Sequence, residues 1–508
     1  MPSIGLALER NARRVPDREA LVFGSRRLSY AELDREVNRT ARALARVGLT
    51  KGERLALYSP NTDMFVIAYL AAMKLGAIVV PINPRSAPPE LAYQLADSGA
   101  VALVFDPVLA AAVGPAADQP GVVVKAYLAT RETDGWDSLP ALAAAETDEP
   151  LNSDVSEGDD AEILYTSGTT GKPKGVLLDH HRVLWTALNV SLGVGVHEGD
   201  RMLHVAPLYH SAELNLFLVS GVLMACTHVI LPAYEPGSVL ETMEREHISL
   251  FFGVPTMYQF LLRHPDFGRR DLSAWRVGMY GAAPMAPLVV QELVGALPRV
   301  QIYNLCGLTE MGPGGIYLLP DEQLRKPGAG GKAIVNTEAR VVDDQMQDVA
   351  PGQVGELILR GETMMKGYWR KPEATAEVIR DGWLLTGDLA KIDGEGYITL
   401  VDRRKDMVIT GGMNVYSVEV ENAVQSHPAV ADCAVVGLPH PEYGETVAAL
   451  VKLKPDAHLT LEELREHCRT LIADYKVPRR LVIGEVPRNA SGKILKYQIR
   501  QALQQAVS

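Results

Sequence analysis

The 508-residue chain carries a formal net charge of −12, with 47% hydrophobic and 22% charged residues. That length exceeds one ordinary core and predicts more than one domain in a folded protein, and the acidic balance excludes broad nucleic-acid binding, which rests on clustered Lys and Arg. The four cysteines (Cys226, Cys306, Cys433, Cys468) form no CxxC pair, so neither a disulfide framework nor a zinc site is expected and a reducing cytoplasm fits.

The N-terminal stretch Met1–Gly5 lacks a signal-peptide pattern. Ser29-Tyr30-Ala31-Glu32 is a capping-box pattern, and Leu33, Val37, Ala41 and Leu44 follow at helical spacing. Arg54–Ser59 reads as a short strand, and Asn61 as the cap of a helix carrying Phe65, Tyr69 and Ala72. Ala77–Val80 is a second strand stopped by Pro81, Pro88-Pro89-Glu90 opens another helix, and Val101–Phe105 is a third strand. This alternation argues for βαβ units and a parallel sheet buried on both faces. From Pro107 to Asp159 the pattern weakens into an alanine-rich, acidic, proline-punctuated segment, expected on the outer surface.

The longest apolar stretch, Leu216–Leu231, is interrupted by Ser220, Gly221, Thr227 and His228. A spanning helix needs about 20 largely apolar residues, so a buried helix passing into a buried strand is expected, with no integral membrane association. Near the end, Val430–Val436 and Val447–Leu453 read as strands, and Thr460-Leu461-Glu462-Glu463 as a capping box opening a helix to about Ile472. The last hundred residues thus read as a compact α+β unit.

Chemistry concentrates in Thr166-Ser167-Gly168-Thr169-Thr170-Gly171-Lys172-Pro173-Lys174-Gly175, directly after the apolar Ile163-Leu164-Tyr165. Glycines bring backbone N–H groups close to a ligand, hydroxyls donate to phosphate oxygens and lysines add compensating charge. An oligophosphate suits this composition better than a plain Ser/Gly turn does. It is not a Walker A loop, because Pro173 follows Lys172. Taken singly, the other marked segments have blander readings. His210 after Val205-Ala206-Pro207-Leu208-Tyr209 would be structural, Gly281-Ala282-Ala283 a tight-packing turn, Thr309-Glu310 a helix start, Thr386-Gly387-Asp388 a turn, and Asp402–Asp406 a solvated charge cluster.

In this order the segments resemble the adenylate-forming superfamily, which comprises acyl-CoA synthetases, aryl-CoA ligases, luciferases and adenylation domains; the resemblance spans essentially the whole chain. It implies an α/β fold: a large N-terminal domain of layered, mostly parallel sheets with flanking helices (1–401), a hinge (402–406) pivoting at Lys405, and a small mobile α+β C-terminal domain (407–508). For ATP or AMP it implies Thr166, Ser167, Gly168, Thr169, Thr170, Gly171, Lys172 and Lys174 at the phosphates. Gly281, Ala282 and Ala283 would sit against the adenine ring, with Asn304, Leu305, Cys306 and Gly307 also at the nucleotide, Thr309 at the α-phosphate, Asp388 at the ribose and Arg403 at the ribose or a phosphate. Cys306 stands where the family carries an aromatic residue that stacks on adenine, which implies weakened ATP binding or a widened pocket, and an alkylation-sensitive thiol. Thr166 and Glu310 would hold Mg²⁺.

Lys493, within Pro487-Arg488-Asn489-Ala490-Ser491-Gly492-Lys493, resembles the lysine that reaches the acyl carboxylate and α-phosphate, so the catalytic set implied is Lys493, His210, Thr166 and Glu310. His210, Phe252, Val254, Met257, Gly281, Leu305, Met311 and Gly312 would line the acyl pocket, and Gly411-Gly412 the coenzyme A channel. Ser417 stands where a proline is usual and is expected to cap the next helix. The activity implied is ATP-dependent acid–CoA ligation of a hydrophobic monocarboxylic acid, fatty or else aromatic, using ATP, Mg²⁺ and coenzyme A in the cytoplasm. A homodimer is the default oligomer. The rival readings are loading of a carrier-protein phosphopantetheine, a luciferase-like oxygenase and a non-catalytic nucleotide-binding relative. The short run of chain after Lys493 favours free coenzyme A.

Overall fold

The computed structural model describes residues 3–166, 172–488 and 494–505. Two large sheets dominate these residues. In a nine-stranded sheet, Thr227–Ile230, Arg201–His204, Leu250–Gly253, Val277–Gly281 and Gln301–Gly307 run parallel side by side. In an eight-stranded sheet, Ala126–Ala129, Ala102–Phe105, Arg54–Tyr58 and Ile78–Ile82 run parallel. Asp160–Thr166 continues that sheet and turns back antiparallel into Lys174–Asp179. The expected α/β architecture is present: these strands are continuous apolar runs, buried as parallel sheets covered on both faces must be.

The helix Asp63–Leu75 lies in the core with nearly every residue buried, in keeping with a sequence apolar all round. The capping box at Ser29 forms, with the Glu32 N–H donating to Ser29 Oγ and the Ser29 N–H to Glu32. The helix it opens, Tyr30–Arg46, buries Leu33, Val37, Ala41 and Leu44. Leu216–Leu231 is the expected buried helix and strand, but its first three residues belong to a π-helix, Ala212–Leu218, that begins ahead of it.

Several local expectations are corrected. Thr62, not Asn61, caps the buried helix through a hydrogen bond from the Phe65 N–H. Asn61 instead braces the His210 turn, donating to the Ala206 carbonyl at 2.8 Å and accepting from the Leu208 N–H at 2.8 Å. Pro81 does not stop its strand, which runs Ile78–Ile82 in register with Arg54–Tyr58. Residues 107–159 are more than an outer surface, because Ala126–Ala129 adds a strand to the sheet and Leu139–Ala144 packs on Tyr30–Arg46.

Beyond the two large sheets, Thr337–Val342, Val354–Gly361, Trp383–Ile392 and Ile398–Arg403 form an antiparallel sheet. The C-terminal part forms another around Val430–His440 and Gly444–Leu453, with its own apolar core. Its capped helix ends at Arg469, short of Ile472. Ser417 is the first residue of its helix, not the cap; its N–H and Oγ both donate to Asp402. A proline there would supply neither donor. No helix among the described residues is long and apolar enough to cross a membrane.

One buried carboxyl sits where helix and sheet meet. Glu162 accepts from Tyr69 Oη at 2.7 Å and Asn215 Nδ2 at 2.9 Å, and burial lifts its pKa from 4.5 to about 7. The folded protein therefore holds this proton more tightly than the unfolded chain, so the stability it favours is present below pH 4.5 and is lost as pH rises through 7. Glu162→Gln should remove that dependence. Thermal melts are expected to show the variant gaining on wild type between about pH 5 and pH 8, with a constant difference above.

Candidate active site

The marked residues gather because they follow the carboxyl ends of neighbouring parallel strands, where open α/β sheets bind their ligands. Pro207–Ser211 follows Arg201–His204, Val254 follows Leu250–Gly253, Ala282–Pro284 follows Val277–Gly281, and Leu308–Glu310 follows Gln301–Gly307. Thr166 ends the strand of the other sheet that leads into the phosphate-type loop. Of that loop, Ser167, Gly168, Thr169, Thr170 and Gly171 lie outside the described residues, as does Lys493.

The two sheets meet at Glu310. Thr166 Oγ1 donates to Glu310 Oε1 at 3.4 Å, and Tyr368 Oη donates to the same oxygen at 2.9 Å. All three residues are half-buried. Beside them Ser211 Oγ and Thr309 Oγ1 share a hydrogen bond of 3.0 Å, joining the His210 turn to the Thr309 turn. Lys174 Nζ sits 4.9 Å from the centre of the Tyr368 ring, and Lys172 Nζ 5.1 Å from that of Tyr93. These contacts hold two cations beside the loop on aromatic faces.

Tyr368 escapes sequence reading. It lies in a two-residue strand, Gly367–Tyr368, that pairs with Lys174–Asp179 from nearly two hundred positions away. Its only signal in the sequence is a Gly-Tyr pair before Trp369, with no periodicity.

The ribose candidates are neighbours. Asp388 and Arg403 face each other across paired strands, with Arg403 Nε 3.0 Å from Asp388 Oδ1. Cys306 senses both charges, though burial dominates and pushes its thiol up to about 12. A thiol pushed up in this way ionises less readily, which works against the alkylation sensitivity expected from the sequence. Asn304 spends its amide on the Ala329 carbonyl at 3.3 Å.

The glycines divide by cause. A Cβ on Gly281 would lie 2.3 Å from the Leu305 carbonyl oxygen of the paired strand, so strand packing alone demands glycine there. Ala282 then turns the chain with φ +65°.

Of the acyl-pocket candidates, Phe252 and Leu305 share one apolar cluster with Ala206, Ala212, Leu216 and Phe217. Val254 is buried and Met257 half-buried at the start of the adjoining helix. Met311 does not join them. It is fully buried in a different core, with its Cε against Gly361 of the antiparallel sheet, because the turn at Thr309–Met311 points it away. Gly312 is likewise crowded, a Cβ there meeting Thr186 Oγ1 and the Thr363 carbonyl at 2.7 Å.

In the C-terminal part, Gly411 and Gly412 have φ of +56° and +78° between Val408–Thr410 and Met413–Val415. Two positive φ values at a two-residue connection make a hairpin turn that needs glycine irrespective of any ligand. Lys405 lies in the exposed turn between Arg403 and Asp406. The turn is tied to the last helix, Lys496–Gln505: Arg500 donates to Asp406 at 3.0 Å, while Lys496 contacts Ser417 and lies 2.8 Å from Glu421.

The sequence profile of the AMP-binding enzyme family matches residues 8–369, and that of the AMP-binding enzyme C-terminal domain matches 419–493. The chain belongs to the AMP-binding enzyme family. It is 39% identical over 496 residues to a feruloyl-CoA synthase of Amycolatopsis sp, covering 97% of both chains. It is 35% identical over 509 residues to the long-chain-fatty-acid–CoA ligase FadD13 of Mycobacterium tuberculosis, covering 99% of this chain and 98% of the relative. A solved anthranilate CoA ligase, AuaEII, in complex with anthranoyl-AMP superposes with a TM-score of 0.92 at 28% identity, over 99% of this chain and 98% of that one. This member of the family is an acid–thiol ligase of the AMP-forming acyl-CoA synthetase type.

Two outcomes follow from the geometry. Tyr368→Phe removes one hydrogen bond to the Glu310 side chain and should slow pyrophosphate release about tenfold or more, with the KM for the acid unchanged. Iodoacetamide at about pH 8 should label Cys306 far more slowly in the native enzyme than after denaturation, read by peptide mass spectrometry.

Proposed function

We propose that this ligase activates a hydrophobic monocarboxylic acid, fatty or aromatic, as its acyl-adenylate with release of pyrophosphate, then transfers the acyl group to coenzyme A. The observation that carries the reading is the meeting of Thr166, Tyr368 and Glu310 beside the Ser211–Thr309 pair, with His210 and the Phe252–Leu305 wall on the adjoining strand ends. A carboxylate is a poor acyl donor, because its charge repels nucleophiles and oxide leaves badly. Joining it to AMP supplies a good leaving group, and that step needs charge compensated as it moves.

The roles then follow the chemistry of each side chain. Lys172, Lys174 and the hydroxyls and N–H groups of Thr166–Gly171 hold the departing phosphates. Thr309 orients the α-phosphate, Asp388 and Arg403 hold the ribose, and His210 orients the acid. Thr166 and Glu310 offer hard oxygen donors, half-buried and close together, which fits a magnesium ion also bound through phosphates. When bound, Mg²⁺ would offset phosphate charge there. Lys493 covers charge on the carboxylate and α-phosphate. For the second step the thiol arrives on coenzyme A, so the chain needs no nucleophile of its own. Rotation at Lys405 exchanges Lys493 for the Gly411-Gly412 hairpin between the two steps.

The apolar wall of Phe252, Leu305, Leu216 and Phe217 favours an uncharged acyl body, because a second unpaired charge would be desolvated against it. The acids named for the relatives, ferulic, long-chain fatty and anthranilic, support a hydrophobic or aromatic body.

Mass spectrometry of mixtures holding ATP, Mg²⁺, coenzyme A and acids from acetate through palmitate to cinnamates and benzoates tests the reading. Thioester with a subset of the hydrophobic acids is expected; acyl-adenylate without thioester would contradict coenzyme A as acceptor. In Lys493→Ala, acyl-adenylate formation should fall about a hundredfold or more, while thioester formation from supplied acyl-adenylate persists. Equal loss of both half-reactions would remove Lys493 from the adenylation step.

A further inference from the structure

Beneath the His210 turn lies a buried polar assembly that none of these roles uses. The π-helix Ala212–Leu218 carries Glu213 and Asn215, two residues apart and so on roughly opposite sides. Glu213 Oε1 is 2.7 Å from His204 Nδ1, and His204 Nε2 is 2.9 Å from His228 Nδ1. Both histidines belong to strands of the nine-stranded sheet. On the other side, Asn215 Nδ2 donates at 2.9 Å to Glu162, in the eight-stranded sheet, which also accepts from Tyr69. All six side chains are at most 1% exposed.

Burial pushes Glu213 up and both histidines down, His228 to about 3, so the neutral forms prevail. The Glu213 carboxylic acid then donates to His204 Nδ1, and the His204 Nε2–H donates to His228 Nδ1. The network is not cheap. Glu213 Oε2, Asn215 Oδ1 and His228 Nε2 have no hydrogen-bond partner among the described residues. An apolar set of equal volume would cost less, so what the network supplies is defined geometry.

That geometry reaches the acid site by two routes. At the start of the π-helix, the Ala212 N–H donates to His210 Nδ1 at 3.3 Å, and the Leu214 N–H donates to the His210 carbonyl at 3.0 Å. With Nδ1 accepting from the backbone at the start of the π-helix, the orientation of the ring is tied to that helix. Along the π-helix, Ala212, Leu216 and Phe217 join Phe252 and Leu305 in one wall. The Phe217 ring lies 5.0 Å from His204 and 6.4 Å from Phe252, centre to centre.

We propose that Glu213 and Asn215 are positioning residues for acid binding, pegging the π-helix to both sheets and so fixing the His210 imidazole and the Leu216–Phe217 wall. This rests on the reading of His210 and Phe252 as acid-site residues.

The test compares full-length wild type, Glu213→Gln, Glu213→Leu and Asn215→Ser. Thermal melts report folding, and pyrophosphate release gives kcat and KM for ATP and for a graded series of acids. Glu213→Gln keeps a group able to hydrogen-bond His204 Nδ1 and should behave as wild type. Glu213→Leu and Asn215→Ser should raise the KM for the acid about tenfold or more and reorder the preferred acids, with the KM for ATP little changed. If Glu213→Leu does not fold, Asn215→Ser decides by the same criterion. Acid KM and acid ranking as in wild type would overturn the proposal, as would acid and ATP KM rising in parallel. Wild type that makes thioester from no acid would instead overturn the function reading beneath it.

Discussion

The shared contact at Glu310 is the constraint on which the rest of the site depends. Thr166 closes a strand of one sheet, Glu310 follows a strand of the other, and Tyr368 reaches in from a short edge strand. Their hydrogen bonds tie the strand ends of two separate sheets together. A phosphate-holding loop on one sheet and an acyl wall on the other serve a single reaction only if that seam is fixed. The Ser211–Thr309 bond repeats the device one turn away, bringing the His210 turn into the same frame.

Much of this was legible in the sequence where the signal is local. The capping boxes at Ser29 and Thr460, the 3.6-residue spacing of Leu33, Val37, Ala41 and Leu44, and the apolar strand runs all report short-range physics. What failed is tertiary. Asn61 has the chemistry of a helix cap, but its amide is claimed by Ala206 and Leu208, leaving Thr62 to cap. Ser417 likewise gives its hydroxyl to Asp402. Met311 sits in sequence beside residues of the site, yet its turn sends the side chain into another core. Tyr368 and the π-helix carry no periodic signal, because each is defined by distant partners: Lys174–Asp179 for the one, the two sheets for the other.

Glycine illustrates why motif and mechanism must be weighed separately. Gly281 is required by a carbonyl on the neighbouring strand and Gly411-Gly412 by a hairpin turn, whatever ligands approach them. Cys306 shows the opposite case. Its thiol reads in the sequence as a reactive liability, yet in the half-buried site beside the Asp388–Arg403 pair desolvation pushes it up, which works against that reactivity.

The central claim is that Glu310, held by Thr166 and Tyr368, organises the phosphate end of the adenylation step. The most direct measurement is the Mg²⁺ dependence of acyl-adenylate formation in Glu310→Ala, with thioester formation from supplied acyl-adenylate followed in parallel. The account predicts a large loss of adenylation rate with a raised Mg²⁺ requirement, and a second half-reaction close to wild type. An unchanged Mg²⁺ requirement, or equal loss in both half-reactions, would contradict it.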